Sequence, residues 1–123
     1  MNARYDCFCK LSDLVGAQES LSEARRHLHR FPELSFHEKS TAQWVADQLE
    51  GWGYKVTRNV GGHGLVATLS TGEGKAIALR ADMDALPIQE ETQKPYASEH
   101  AGTMHACGHD GHTAMLLGAA QQL

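Results

Sequence analysis

The run AIALRAD, Ala76 to Asp82, is apolar at nearly every position before it turns polar. A strand with one wet face alternates, whereas an unbroken apolar strand belongs inside a sheet covered on both faces. This requirement predicts a layered α/β arrangement with a mixed sheet, and the flanking sequence offers the helices it needs. Ser20-Leu21-Ser22-Glu23 fits a capping box and predicts a helix from about Leu21 to Arg30. It should end near Phe31, because Pro32 cannot continue the hydrogen-bond ladder. A second box, Ser35-Phe36-His37-Glu38, predicts a helix with Ala42, Val45, Leu49 and Trp52 on one apolar face and Gly51 and Gly53 as its stop. A third helix should start near Asp110 and carry Thr113, Ala114, Leu116, Leu117, Ala119 and Ala120.

Between the helices the period changes. Tyr54, Val56 and Val60 read as a strand interrupted by Gly61-Gly62-His63-Gly64. Leu65 to Ser70 and Ala76 to Ala81 then read as a hairpin turning through Thr71-Gly72-Glu73-Gly74. Leu86 to Thr103 has no period and carries Pro87 and Pro95, which predicts a long loop of the kind that often serves function. Residues 1–19 are expected to form an N-terminal tail and residues 20–123 one unit.

A chain of 123 residues can bury a core of its own, and 41% apolar with 21% charged residues excludes disorder, collagen and coiled coil. With a net charge of −4 and scattered Lys and Arg, it has no electrostatic footprint for nucleic acid or anionic lipid. No window approaches the roughly 18 apolar residues of a membrane span, and the first residues lack the pattern of a secretory signal. A cytoplasmic location is therefore expected. Three cysteines, with Cys7 and Cys9 far from Cys107, suggest reduced thiols and no disulfide framework. Cys7-Phe8-Cys9 lacks a second ligand pair at zinc-finger spacing and is read with the tail.

The chemistry concentrates in MHACGHDGH, Met104 to His112. His105, Cys107 and His109 alternate, so in an extended segment all three would project to one side as ligands. Thiolate and imidazole suit zinc, and cobalt, nickel or manganese where carboxylates join. Asp110 is placed to cap the last helix, whose positive end would favour the Cys107 thiolate. His112 follows His109 by one helical turn and could reach the same pocket. Taken singly, each histidine is more often structural than a ligand, and a lone cysteine behaves as a small hydrophobe. Cys107 could also be a nucleophile with His109 or His112 as its base. Asp82 and Asp84 emerge at a strand end, where α/β sheets commonly bind ligands, and could orient a metal-bound histidine or bridge metals. The plainer alternative is a solvated turn with Arg80 as a salt-bridge partner. His27, His29, Glu33, His37 and Glu38 have plain amphipathic explanations.

RHLHRFPEL (Arg26 to Leu34), LRADMDALPI (Leu79 to Ile88) and Met104 to His112 occur in the order and at the separation found in the hippurate hydrolase and N-acyl-amino-acid amidohydrolase group. That group lies within the aminoacylase and carboxypeptidase-G-like metallopeptidases, and the resemblance covers roughly residues 22 to 123. It implies a three-layer zinc-exopeptidase-like fold, of which this would be the N-terminal portion. It implies two divalent ions (zinc, manganese, cobalt or nickel), a small N-acyl amino acid as substrate and a homodimeric parent. Cys107 and His109 would be metal ligands, Asp82 the active-site aspartate, and Asp84, His105 and His112 supporting or substrate-facing groups. The glutamate that acts as general base in relatives, in a Glu-Glu-Gly motif after the cysteine motif, has no counterpart here; Glu90-Glu91 precedes that motif. The chain is accordingly expected to be a truncated catalytic domain, inactive alone and without the inserted dimerisation domain. A metal-binding or partner-binding module that has lost catalysis is the alternative.

Overall fold

The computed structural model describes residues 11–123 as three helices and a hairpin: α1 (Leu11–Arg30), α2 (Lys39–Gly51), β1 (Lys55–Val60), β2 (Gly64–Thr68) and α3 (His109–Gln122). Cys7-Phe8-Cys9 lies outside the described residues. The helices and small antiparallel sheet make an α/β arrangement whose core is Leu28 of α1, Val45 and Leu49 of α2, and Leu117 and Ala120 of α3. Trp44, Trp52, Tyr54, Val56, Leu65, Ala67 and Met83 pack around that cluster. The apolar face predicted for α2 is the one buried, with Ala42, Val45 and Leu49 inward. It stops as expected at Gly53, whose φ of +87° is left-handed and whose N–H reaches the Glu50 carbonyl. Helices α1 and α3 approach closely at Gly118, where a Cβ would stand 2.3 Å from Cδ2 of Leu21. Among the described residues no helix is long and apolar enough to cross a membrane.

Three expectations are corrected. Helix α1 starts at Leu11, so residues 11–19 are not tail, and Ser20 lies inside the helix with its hydroxyl on the Ala17 carbonyl. Serine inside a helix makes this back-bond readily, which is why the capping pattern misleads. The box Ser35 to Glu38 does not cap α2 either. Glu38 is the N-cap position without a side-chain bond, and Glu33 instead accepts the N–H groups of Ser40 at 3.1 Å and Thr41 at 2.6 Å, with the Thr41 hydroxyl at 2.7 Å. The hairpin, finally, turns through Gly61 and Gly62, and β1 pairs with β2 with a bulge between Arg58 and Val60. Ala76 to Ala81 forms no strand; Ile77 is 91% exposed. An apolar run reports a face fit for burial, and among the described residues no sheet edge pairs with it.

The junction of α1 and α2 is stitched to the later chain through the backbone. The Ala85 N–H donates to the Glu33 carbonyl at 2.8 Å, beside a parallel bridge between Leu34 and Ala85. Leu86 and Met104 exchange two backbone bonds, closing the base of the long loop. Glu33 thus serves two joints, its carboxylate α2 and its carbonyl the chain after Asp84.

Burial alone would raise the Glu33 carboxyl, but the bonds from Thr41 and Ser40 outweigh it and hold it below its ordinary 4.5. A lowered carboxylate contributes stability that is present above its unfolded value and lost as pH falls through the folded one. Glu33→Ala should therefore destabilise the protein by about 1 kcal/mol, the usual worth of a helix cap, in denaturant unfolding at neutral pH. The difference from wild type should vanish in unfolding curves taken well below pH 4.5.

Candidate metal centre

The corner forms where α3 begins. Gly108 adopts φ +97°, the left-handed conformation that glycine enters without penalty, and the chain bends at Cys107 and Gly108 into His109. His109 Nδ1 lies 2.9 Å from Asp84 Oδ1 and 3.0 Å from the Asp84 carbonyl oxygen. Ser35 donates its hydroxyl to the other oxygen, Oδ2, at 2.5 Å. The Ser35 hydroxyl, aided by His109, holds the Asp84 carboxyl below its usual range against the opposing effect of burial. An ionised carboxylate only accepts, so the proton of a neutral His109 sits on Nδ1 and the lone pair on Nε2. That is the arrangement of a histidine prepared by a carboxylate to bind metal through Nε2.

The remaining predicted residues fall around this pair. Cys107 is a free, exposed thiol. His112 is exposed with its ring 5.8 Å from that of His109. Asp82 lies on the rim: its carboxylate takes the Arg80 guanidinium at 2.6 Å and its carbonyl accepts the Thr113 hydroxyl at 3.0 Å. The contact with His109 is made by Asp84. His105 parts from the others, because the bend ends the extended alternation: it is buried, with both ring nitrogens unpartnered, while Cys107 faces solvent. Among the described residues no three His, Cys, Asp or Glu side chains gather as a metal would need. The donors nonetheless fit such an ion in kind. A thiol and an imidazole nitrogen with its other nitrogen committed are soft and borderline ligands for zinc or cobalt, two short of a closed tetrahedral shell.

Asp110 does not cap α3, which has no side-chain cap. Its carboxylate turns inward, meeting Arg25 Nε at 2.9 Å and His29 Nδ1 at 2.8 Å. On the other side of His29, Nε2 meets Glu90 Oε1 at 3.1 Å. Glu90 also accepts the Thr92 hydroxyl and the Ser98 N–H. Burial alone would raise the Glu90 carboxyl, and these donors together bring it below its usual range. Sequence patterning gives His29 and Glu33 amphipathic roles and misses both. The one available signal is Arg25 and His29 four residues apart, two polar groups on one helix face that also carries Leu28 toward the core.

The sequence profile of peptidase family M20/M25/M40 matches residues 78–123, the segment holding Asp82, Asp84, Cys107 and His109. Over that segment the chain resembles members of this family. It is 52% identical over 98 residues to the N-acyl-L-amino acid amidohydrolase of Geobacillus stearothermophilus, covering 79% of this chain and 26% of that protein. It is 46% identical over 114 residues to the hippurate hydrolase of Campylobacter jejuni, covering 92% of this chain and 30% of that one. The chain thus spans less than a third of the length of these curated relatives. Among solved structures it resembles the Bacillus subtilis YxeP protein, a dinuclear metal-binding peptidase of the M20 family, with TM-score 0.80, 43% identity and coverage of 87% of this chain and 30% of that one. A structure from methicillin-resistant Staphylococcus aureus matches with TM-score 0.86 and 47% identity, over 89% of this chain and 30% of that one.

An exposed thiol two residues before a prepared imidazole allows ligand to be told from nucleophile. Zinc or cobalt should protect Cys107 from alkylation by iodoacetamide, and Asp84→Asn should weaken that protection by roughly 10- to 100-fold in metal concentration, the usual effect of losing a ligand's orienting carboxylate. Alkylation at an unchanged rate in saturating metal would exclude ligation by Cys107.

Proposed function

We propose that this chain supplies the N-terminal metal-binding part of a metal-dependent amidohydrolase that cleaves the amide bond of N-acylated amino acids. The observation that carries the reading is the bond from His109 Nδ1 to Asp84, which leaves Nε2 free, two residues along the chain from the exposed Cys107 thiol. Relatives named for hydrolysis of N-acyl-L-amino acids and hippurate support the substrate class, and the dinuclear structural relative supports two divalent ions.

In this reading Cys107 and His109 hold the metal, and Asp84 fixes the tautomer and ring plane of His109. Asp82, paired with Arg80 on the exposed rim, lies two residues along the same segment and serves the substrate side of the corner. His112 lines the approach. A bound divalent ion would polarise the scissile carbonyl and lower the pKa of a water toward neutrality. Proton transfer to the leaving amine calls for a glutamate, and neither Glu33 nor Glu90 is placed for it. Glu33 is committed to Thr41 and Ser40, and Glu90 to His29, Thr92 and Ser98. Among the described residues no glutamate gathers with Cys107 and His109 as a metal site would need, and we assign the base to a group outside residues 11–123, so that this polypeptide binds metal but turns over little on its own.

A chimera separates the two halves of the proposal. Residues 11–123 fused to the C-terminal remainder of the Geobacillus stearothermophilus enzyme, in exchange for that enzyme's own matching segment, should hydrolyse N-acetyl or N-benzoyl amino acids in the presence of zinc, manganese or cobalt. Cys107→Ser should abolish that activity or reduce it by at least about a hundredfold, on the order expected for loss of a metal ligand. A folded chimera that binds cobalt through Cys107 but hydrolyses nothing would favour a non-catalytic metal-binding module.

A further inference from the structure

Outside the metal-binding pair, His29, Glu90 and Asp110 bury their side chains together where α1 passes the start of α3, with the partly exposed Arg25 at their edge. We propose that His29 is a positioning residue for the metal corner: a doubly protonated imidazole that clamps Asp110 with one nitrogen and Glu90 with the other, and through Asp110 fixes how His109 is presented. This rests on the metal-binding reading of Cys107 and His109.

The first argument is donor counting. Carboxylates accept and do not donate, and each ring nitrogen of His29 lies within hydrogen-bond distance of one, at 2.8 Å for Asp110 and 3.1 Å for Glu90. A ring with one proton would turn a lone pair toward a carboxylate on one side. A ring with two satisfies both. Charge gives the same answer. Arg25 and His29 against Asp110 and Glu90 balance when His29 carries its second proton, in a place where the side chains of His29, Glu90 and Asp110 are 4%, 2% and 3% exposed. Such a site does not hold an uncompensated negative charge cheaply.

The other groups that face His29 raise no objection. Tyr96, from the long loop, meets it edge-on at 5.8 Å between ring centres, and the Arg25 and Arg26 guanidiniums lie over the Tyr96 ring. His105, before α3, lies 6.4 Å away ring to ring. It is buried, and both its ring nitrogens lack a hydrogen-bond partner. Position then follows from connectivity. The first turn of α3 has no side-chain cap, and Asp110 is the residue after His109. The clamp therefore ties the turn that carries His109 to α1 and to the loop whose base lies just after Asp84.

Two measurements test this. In protein labelled with ¹⁵N-histidine at neutral pH, both ring N–H protons of His29 should give slowly exchanging resonances that disappear in His29→Gln; an unprotonated ring nitrogen at His29 in wild type would overturn the proposal. Cobalt titrations followed by the thiolate charge-transfer absorption of Cys107 should show His29→Gln binding roughly tenfold or more weakly than wild type. Leu49→Ala, a core change away from the clamp, should lower the Tm without that loss. Equal cobalt affinity in His29→Gln and wild type, or an equal loss in Leu49→Ala, would overturn the positioning role. If wild type shows no cobalt–thiolate band, the metal-binding reading fails and the positioning role with it, while the ring protons still report the clamp.

Discussion

A carboxylate with 3% of its side chain exposed, as in Asp110, imposes a condition on everything around it. Removing an ion from water costs several kcal/mol unless partners replace the lost solvation. Both cationic partners come from α1, Arg25 and His29, one turn apart on a single face. The contact between α1 and α3 is therefore held by two kinds of force. Leu28 and Leu117 in the core, with Leu21 against Gly118, provide burial that favours contact but tolerates small shifts. The ion pairs are directional, so they set the register of one helix on the other. With Asp110 turned inward, His109 at the preceding position is directed to Asp84, and the chemistry at the start of α3 is a consequence of the charge buried behind it.

The opposite side of the corner is anchored by similar logic with different atoms. Glu33 gathers donors from the start of α2 by its carboxylate and holds Ala85 by its carbonyl, while Ser35 and His109 share the Asp84 carboxylate. Glu33, Asp84 and Glu90 all owe their lowered pKa to hydrogen-bond donors that prevail over desolvation. These carboxylates are engaged by donors, and Asp84 among them holds His109, whose Nε2 is left open as is the exposed Cys107 thiol. Rigid support with an exposed reactive face is the usual division of labour between scaffold and loop.

What the sequence discloses and what it conceals divide along the same line. The three helices and the inward face of α2 are legible because apolar residues at helical spacing leave a regular trace. So are Cys107 and His109 as a pair to watch, since few segments combine such residues with a loop-to-helix transition. Helix starts are not, because Ser20 and Ser35 satisfy a local pattern while the structure answers to distant groups: Ser35 to Asp84, and the N–H groups of α2 to Glu33. Asp110 resembles a cap for the same reason. Its partner His29 lies 81 residues back, a separation that no local pattern encodes. The hairpin is misplaced by sequence because Gly61-Gly62 and the glycines Gly72 and Gly74 are equally good turns on composition, and only pairing decides between them.

The segment that leads into Asp84 obeys two separate requirements. Its apolar half, Ala76 to Leu79, finds no cover among the described residues, and each large side chain there leaves about 1.5–3 kcal/mol of burial unrealised. Its polar half is anchored at once: the Thr113 hydroxyl takes the Asp82 carbonyl, Ser35 and His109 take Asp84, and Glu33 takes Ala85. Anchoring begins at Asp82 and does not extend to the exposed residues before it. The geometry of Asp84 and His109 is thus set by contacts within α1, α3 and the junction before α2, and does not depend on where Ile77 and Leu79 are packed.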